Sequence, residues 1–317
     1  MNAHPGDPDG LDGNPKDGIA CEGLPHRPQT PAPTPQCLWG AVAQRYDSTG
    51  GANGSLGEVT QCQQPTPLRA GEYAHFRGGS IYYSTSTGAQ FTRGAIRDKW
   101  AATGWENGRL GFPTTSDAPT PNGRGWYTHF QGASVYWSPQ TGAHFTAGAI
   151  KDQWALHGWE NGGLGFPATD DTSTPNGRGY YTHFQGGSIY WSPATGAHDV
   201  RGAIRDKWAS TGWENGHLGF SRTGDTRTPN GSGYYNHFQG GSIYWSPATG
   251  ANIVLGAIGQ AWASQGWESG ALGYPVEDEH GWDEDYIVQQ FQGGFIGYTP
   301  GVGAQIYYGE RLPEECC

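Results

Sequence analysis

A glycine opening the triplet "GAI" recurs at Gly94, Gly148, Gly202 and Gly256, so the chain repeats itself every 54 residues over most of its length of 317. No other feature limits the fold as strongly. A unit of this size cannot bury both faces of its own sheet, and it becomes stable only by stacking on a neighbour. One period before Gly94 lies Gly40, in a worn copy that keeps Leu56 and Gly57. One period after Gly256 a last copy ends near Gly309, one residue short, because "HGWDEDY" replaces the "TPNGRGY" type of loop. The expected organisation is a leader over 1–36, a repeat region over 37–309 and a tail over 310–317. The units run from about 40–93, 94–147, 148–201 and 202–255 to 256–309.

Each unit reads alike. In "GAIRDKWAATG", Ile96 and Trp100 are spaced as on one face of a short helix that glycine ends. "WENGRLGFP" is a turn leading into a buried segment, with Leu110 and Phe112 in its apolar slots and Pro113 closing it. "TPNGRG" is a loop. "WYTHFQGASVYWSP" predicts a hairpin, with Phe130 on one face and His129 on the other. The 54 glycines and 22 prolines come with 14 Trp, 17 Tyr and 11 Phe, a mixture that packs a turn-rich β core. The expected fold class is therefore all-β with a short helix per repeat, either a propeller or a solenoid. A five-bladed β-propeller is the expectation, because a Cys pair candidate, Cys37 with Cys62, and the terminal "EECC" mark the two ends where a ring would meet.

The formal charge of −11 opposes a phosphate backbone, and no Lys/Arg run forms a basic track, so nucleic acid is excluded as a partner. No apolar run is long enough to span a bilayer. All five cysteines lie at the chain ends or in the first unit, which suggests an oxidising compartment and a leader already removed. The odd count leaves one thiol free or able to join two chains.

Leu110-Gly111-Phe112-Pro113, Leu164-Gly165-Phe166-Pro167 and Leu272-Gly273-Tyr274-Pro275 are similar to the signature of the LGFP repeat family. The flanking "GWE.G" and "F.GG.IYWSP.TGAH" blocks extend the likeness, while "LGEV" at Glu58 and "LGFS" at Ser221 depart from it. The resemblance implies a secreted five-bladed propeller associated with the cell envelope, binding polysaccharide of arabinogalactan or peptidoglycan type. Near the start, "GDPDGLDGNPKDGIACEGLP" resembles part of an excalibur domain. That implies Ca2+ bound by Asp12, Asn14, Asp17 and Glu22 as oxygen ligands; the other reading is an acidic Pro/Gly-rich leader.

Several rows of residues are candidates for ligand contact. Trp105, Trp159, Trp213 and Trp267 either stack on sugar rings or pack between units. Tyr136, Tyr190 and Tyr244, with His129, His183 and His237, lie on the hairpin face opposite Val135, Ile189 and Ile243, as ligand contacts or as lining between blades. Glu106, Glu160, Glu214 and Glu268 come in four matching copies, which suits turn capping better than a catalytic pair. Unit 5 gathers Glu277, Asp278, Glu279, Asp283, Glu284 and Asp285, the one asymmetric place where a hydrolase site would fit. No nucleophile elbow or nucleotide loop occurs. The leading expectation is a non-catalytic, multivalent glycan binder that requires no cofactor; the alternative is a building block that self-associates through Cys316 and Cys317.

Overall fold

A computed structural model describes residues 35–283, 285–309 and 311–312. The excalibur-like residues Asp12, Asn14, Asp17 and Glu22, together with Glu284, Cys316 and Cys317, lie outside the described residues. Each unit opens on a nine-residue helix: α1 (Gly40–Ser48), α2 (Gly94–Ala102), α3 (Gly148–Leu156), α4 (Gly202–Ser210) and α5 (Gly256–Ser264). In α2 the four-residue spacing of Ile96 and Trp100 places both on the buried face. A glycine at positive φ then ends the helix, Gly104 at 93° in unit 2, and one 3₁₀ turn follows over Trp105–Asn107.

Five four-stranded antiparallel sheets follow, one per unit, with neighbouring strands consecutive in the chain. Sheet 1 comprises Val59–Pro65, Glu72–Phe76, Gly79–Ser84 and Gly88–Thr92. Sheet 2 comprises Ala118–Pro119, Trp126–His129, Ser134–Ser138 and Gly142–Thr146. Sheet 3 has Thr172–Ser173, Tyr180–Phe184, Gly187–Ser192 and Gly196–Val200. Sheet 4 has Thr226–Arg227, Tyr234–His237, Gly241–Ser246 and Gly250–Leu255. Sheet 5 has His280–Asp283, Tyr286–Phe291, Gly294–Thr299 and Gly303–Tyr308. The expected hairpin is the centre of each sheet. The short first strand of sheets 2 to 4, only two residues long, lies just before the "TPNGRG" type of loop, in a stretch to which the sequence pattern assigns no element.

From unit 2 onwards the "LGFP" segment locks each unit to the one before it. Leu110 is fully buried in a cluster that joins Tyr82 of unit 1 to Trp100, Phe130 and Val135 of unit 2. Gly111 adopts φ +73°, and a Cβ there would approach the Gln131 side-chain oxygen to 2.7 Å. The bare backbone is required because that same oxygen accepts the Phe112 amide at 3.0 Å, while the Gly111 carbonyl accepts the Trp100 indole N–H at 3.0 Å. Phe112 then enters the preceding unit, and its successors do likewise. A Cβ on Gly125 of unit 2 would come within 2.7 Å of the Phe166 ring of unit 3. In unit 5 the ring is Tyr274, whose hydroxyl lies 2.8 Å from Thr228 Oγ1 and donates to Asn230 Oδ1 at 2.8 Å.

The two departures from the signature are absorbed locally. Ser221 is buried and its hydroxyl donates to the Thr223 carbonyl at 2.6 Å; Glu58 is exposed and pairs with Arg77 at 2.8 Å. In unit 1 a disulfide joins Cys37, just before α1, to Cys62 in the first strand of sheet 1, as expected.

Replacing Phe166 by Ala should remove roughly 3–5 kcal/mol of stability, the usual range for a buried ring, and Gly125→Val should also be strongly destabilising because it drives a side chain into that ring. Chemical denaturation of both variants checks this. Reducing the Cys37–Cys62 bond should lower stability by about 3 kcal/mol, as for a loop of this length, and the same measurement with and without reductant reads it.

Candidate functional site

The junction between neighbouring units is where the repeated aromatic residues meet. Between units 1 and 2, Tyr73 stacks on Tyr82 at 5.1 Å, and Tyr82 stacks on Trp105 at 5.7 Å with an interplanar angle of 16°. Trp100 meets Tyr82 edge-on at 4.5 Å. The same set recurs as Tyr127, Tyr136, Trp159 and Trp154, then as Tyr181, Tyr190, Trp213 and Trp208, and finally as Tyr235, Tyr244, Trp267 and Trp262. The stacking tryptophans are held in an unusual backbone. Trp105, Trp159, Trp213 and Trp267 have φ between 53° and 58°, and they are the non-glycine residues with positive φ among those described.

A left-handed conformation costs an L-residue about 1–2 kcal/mol. Each aromatic contact returns about 0.5–1.5 kcal/mol beyond its buried area, so two ring contacts suffice to hold the strained turn. Unit 1 bears this out from the other side. Gly51 stands at the Trp position with φ 58°, and Ala52 at the Glu position, where no earlier sheet offers rings among the described residues. Sheet 5 has lost the opposite half: Val288, Gln290 and Gly297 stand where sheet 4 has Tyr235, His237 and Tyr244.

Beside each stack lies a histidine. His75, His129, His183 and His237 each hold Nδ1 within 2.6–2.7 Å of a serine Oγ: Ser80, Ser134, Ser188 and Ser242 respectively. At two junctions an arginine on the following helix completes the group. Arg97 Nε donates to Ser80 Oγ at 2.6 Å and its guanidinium lies 5.2 Å from the Trp105 ring centre; Arg205 does the same with Ser188 and Trp213, at 2.6 and 5.1 Å. With the arginine donating to the serine oxygen, the seryl proton is free to point at Nδ1, which favours a neutral imidazole. Burial first, and the Arg205 charge second, push His183 down to about 4. His75, His129 and His237 are also lowered, again mainly by burial.

These placements sort the sequence candidates. Tyr136, Tyr190 and Tyr244 are interior packing residues, buried beneath the next unit. The face opposite the aliphatic row, where the alternation put them, is covered by the following helix and tryptophan. Trp105, Trp159 and Trp213 are half-buried, whereas Trp267 is 36% exposed. Glu106, Glu160, Glu214 and Glu268 are buried in their turns and accept from the next side chain, as Glu106 does from Asn107 at 2.7 Å. In unit 5, Asp278 serves structure, pairing with Lys207 at 2.5 Å and accepting the Ile253 amide at 2.8 Å, while Asp283 and Asp285 are exposed. Among the described residues no His, Cys, Asp and Glu group is arranged to hold a metal ion.

Sequence reasoning missed another aromatic row. Trp126 pairs across its sheet with Trp137, Tyr180 with Trp191, and Tyr234 with Trp245. The first member of each pair is open to solvent, at 37%, 42% and 39% exposure. Their 54-residue spacing was legible, but in an aromatic-rich strand nothing marked them as outward-facing. Polar grooves also recur, between the "TPNGRG" loop of one unit and the "WENG" turn of the next. One of about 760 Å³ lies between Arg124 and Glu160, and one of about 950 Å³ between Arg178 and Glu214.

Stacked four-stranded units with one helix each define a tandem-repeat protein built mostly of β-structure. The repeat itself is the LGFP repeat, whose family model matches residues 56–108, 110–162, 164–216 and 218–270, and the chain belongs to that family. The matches stop before sheet 5, which is a fifth four-stranded unit by structure alone. No curated protein matches the chain. Among solved structures, the extracellular domain of a putative hybrid two component system from B. thetaiotaomicron is 13% identical, with a TM-score of 0.16. A second structure, of the extracellular domain of a putative one component system from the same organism, is 13% identical with a TM-score of 0.14. In both cases the match covers 80% of this chain and 28% of the other, and scores this low carry no argument about fold.

Because the His183 pKa is lowered from 6.5 to about 4, its neutral ring contributes stability that is full above pH 6.5 and is lost as the pH falls through 4. Asp117, Asp171 and Asp225 are raised by burial to about 6, so their contribution has the opposite sign, present below 3.8 and lost as the pH rises through 6. An NMR titration should find the His183 ring protonating near 4; a midpoint at or above 6.5 would contradict the buried, arginine-facing setting.

Proposed function

We propose that this protein is a non-catalytic, multivalent binder of envelope polysaccharide, acting outside the cell. The observation that supports it most is the row of exposed aromatic pairs led by Trp126, Tyr180 and Tyr234. A pyranose ring presents a C–H face that packs on indole and phenol rings, and a polymer presents such faces at regular intervals. A repeated protein surface answers a repeated ligand. Linked weak sites can raise overall avidity by about 10²–10⁴ without any new contact. The recurring polar grooves offer hydroxyl-matching groups such as Arg124, Gln140 and Asn161. The Cys37–Cys62 disulfide fits an oxidising compartment.

The four junctions repeat one chemistry, whereas units 1 and 5 have each lost the half of it that would face away from their described neighbour. We read the five units as successive blades. The closed five-bladed propeller expected from the repeats would need a seam between units 5 and 1 unlike the other four, while an open row needs only two finished ends. Gly51 and Ala52 at one end, and Val288 and Gly297 at the other, favour the open row.

Titration of the full chain against isolated arabinogalactan and peptidoglycan tests the binding. The triple variant Trp126→Ala, Tyr180→Ala, Tyr234→Ala should keep its fold and lose affinity by at least tenfold, about 1.4 kcal/mol. No binding to either polymer, or unchanged binding by the triple variant, overturns the reading.

A further inference from the structure

The junction between units 4 and 5 differs from the other three at successive positions on the helix, and the first of these opens space. Where α2, α3 and α4 carry Arg97, Lys151 and Arg205, α5 carries Gly259. Glycine inside a helix is unfavourable by about 1 kcal/mol relative to alanine, so local helix stability gives no reason for it. Its consequence is a cleft of about 520 Å³ between sheet 4 and α5, lined by Arg222, His237, Ser242, Val254, Leu255 and Trp267 among others. The guanidinium that covers the indole and serine at two of the other junctions is missing. Ser242 is accordingly half-buried, whereas Ser80, Ser134 and Ser188 are fully buried, and Trp267 is the exposed member of its row.

The charges of the cleft have also changed. Gln260 stands where Asp98, Asp152 and Asp206 lie on the other helices, so the lining holds no carboxylate. Arg222 stands where units 2 and 3 have Thr114 and Ala168. Its exposed side chain makes no hydrogen bond or ion pair among the described residues, and its charge faces His237. The cleft thus combines an open indole face, a serine hydroxyl at 2.6 Å from a histidine Nδ1, and one unpaired cation.

We infer that this cleft is a specialised subsite for an acidic saccharide, with the sugar ring on Trp267, a hydroxyl at Ser242 and the carboxylate at Arg222. The inference rests on the saccharide-binding reading and adds to it a site, a charge and a place in the array. A Cβ at 259 would meet Val254 Cγ1 at 3.3 Å, a contact relieved by a small shift of that side chain, and unit 4 already holds Arg205 at the same spacing from Val200. Gly259→Arg would therefore refill the slot as its neighbours are filled and leave the stack intact.

The test is a tryptophan-fluorescence titration of the full chain with an oligoglucuronate and with its carboxyl-reduced counterpart. The unaltered chain should bind the acidic probe more tightly than the neutral one. Arg222→Ala should weaken the acidic probe about tenfold, as for a lost charged hydrogen bond, and leave the neutral one unchanged. Gly259→Arg should abolish the fluorescence response to both probes while retaining binding to wall polysaccharide through the exposed pairs. No binding of the acidic probe, or equal binding by all three proteins, overturns the subsite. Loss of wall-polysaccharide binding is read separately, and bears on the multivalent reading.

Discussion

Each unit after the first depends on inserting its own aromatic residues into the sheet of the unit before it. Phe112, Phe166, Phe220 and Tyr274 each pack against a glycine of the preceding unit, and each "WE" tryptophan from Trp105 to Trp267 stacks on a preceding tyrosine. Neither contact exists within a single unit. Stability is therefore shared between nearest neighbours, and the most uniform residues of the chain are those that make the joint. The strained turn is part of the same device. A tryptophan is held at positive φ by the helix tryptophan of its own unit, edge-on, and by the stacked tyrosine of the unit before, and where the tyrosine is missing glycine takes the place, as at Gly51.

Much of this was legible in the period. Once copies are aligned, Ile96 with Trp100 and Leu110 with Phe112 declare a helix and a buried segment, and both are core. Cys37 and Cys62 are paired as their place in unit 1 suggested. Single-unit reasoning failed where neighbours decide the outcome. Alternation put Tyr136 opposite Val135 correctly and left open whether the second face meets a ligand or a neighbouring blade; α3 and Trp159 cover it. The two-residue first strands, such as Ala118–Pro119, were hidden by the turn residues around them. The left-handed backbone of Trp105 had one trace, the glycine that replaces it in unit 1.

The division between frame and surface organises the functional reading. Glutamates and tyrosines that recur in every internal junction are buried and structural, so repetition alone was a poor guide to ligand contact. Outward-facing aromatics of sheets 2 to 4 recur as well, but at positions that sheets 1 and 5 fill with Glu72 and Ile287. Departures are more telling still. Gly259, Gln260 and Arg222 change the size and charge of one junction without disturbing its stack.

The claim that the intermolecular-like grip between units outweighs the strain of the tryptophan turn is most directly tested by a double-mutant cycle on Tyr136 and Trp159, read by equilibrium denaturation. With Tyr136 present, Trp159→Gly should destabilise the protein, because the lost ring contacts exceed the relieved strain. With Tyr136→Ala already in place, the same change should be neutral or stabilising, giving a coupling of about 1 kcal/mol or more. If Trp159→Gly stabilises the unaltered protein, or has the same effect in both backgrounds, the junction is not what holds the turn.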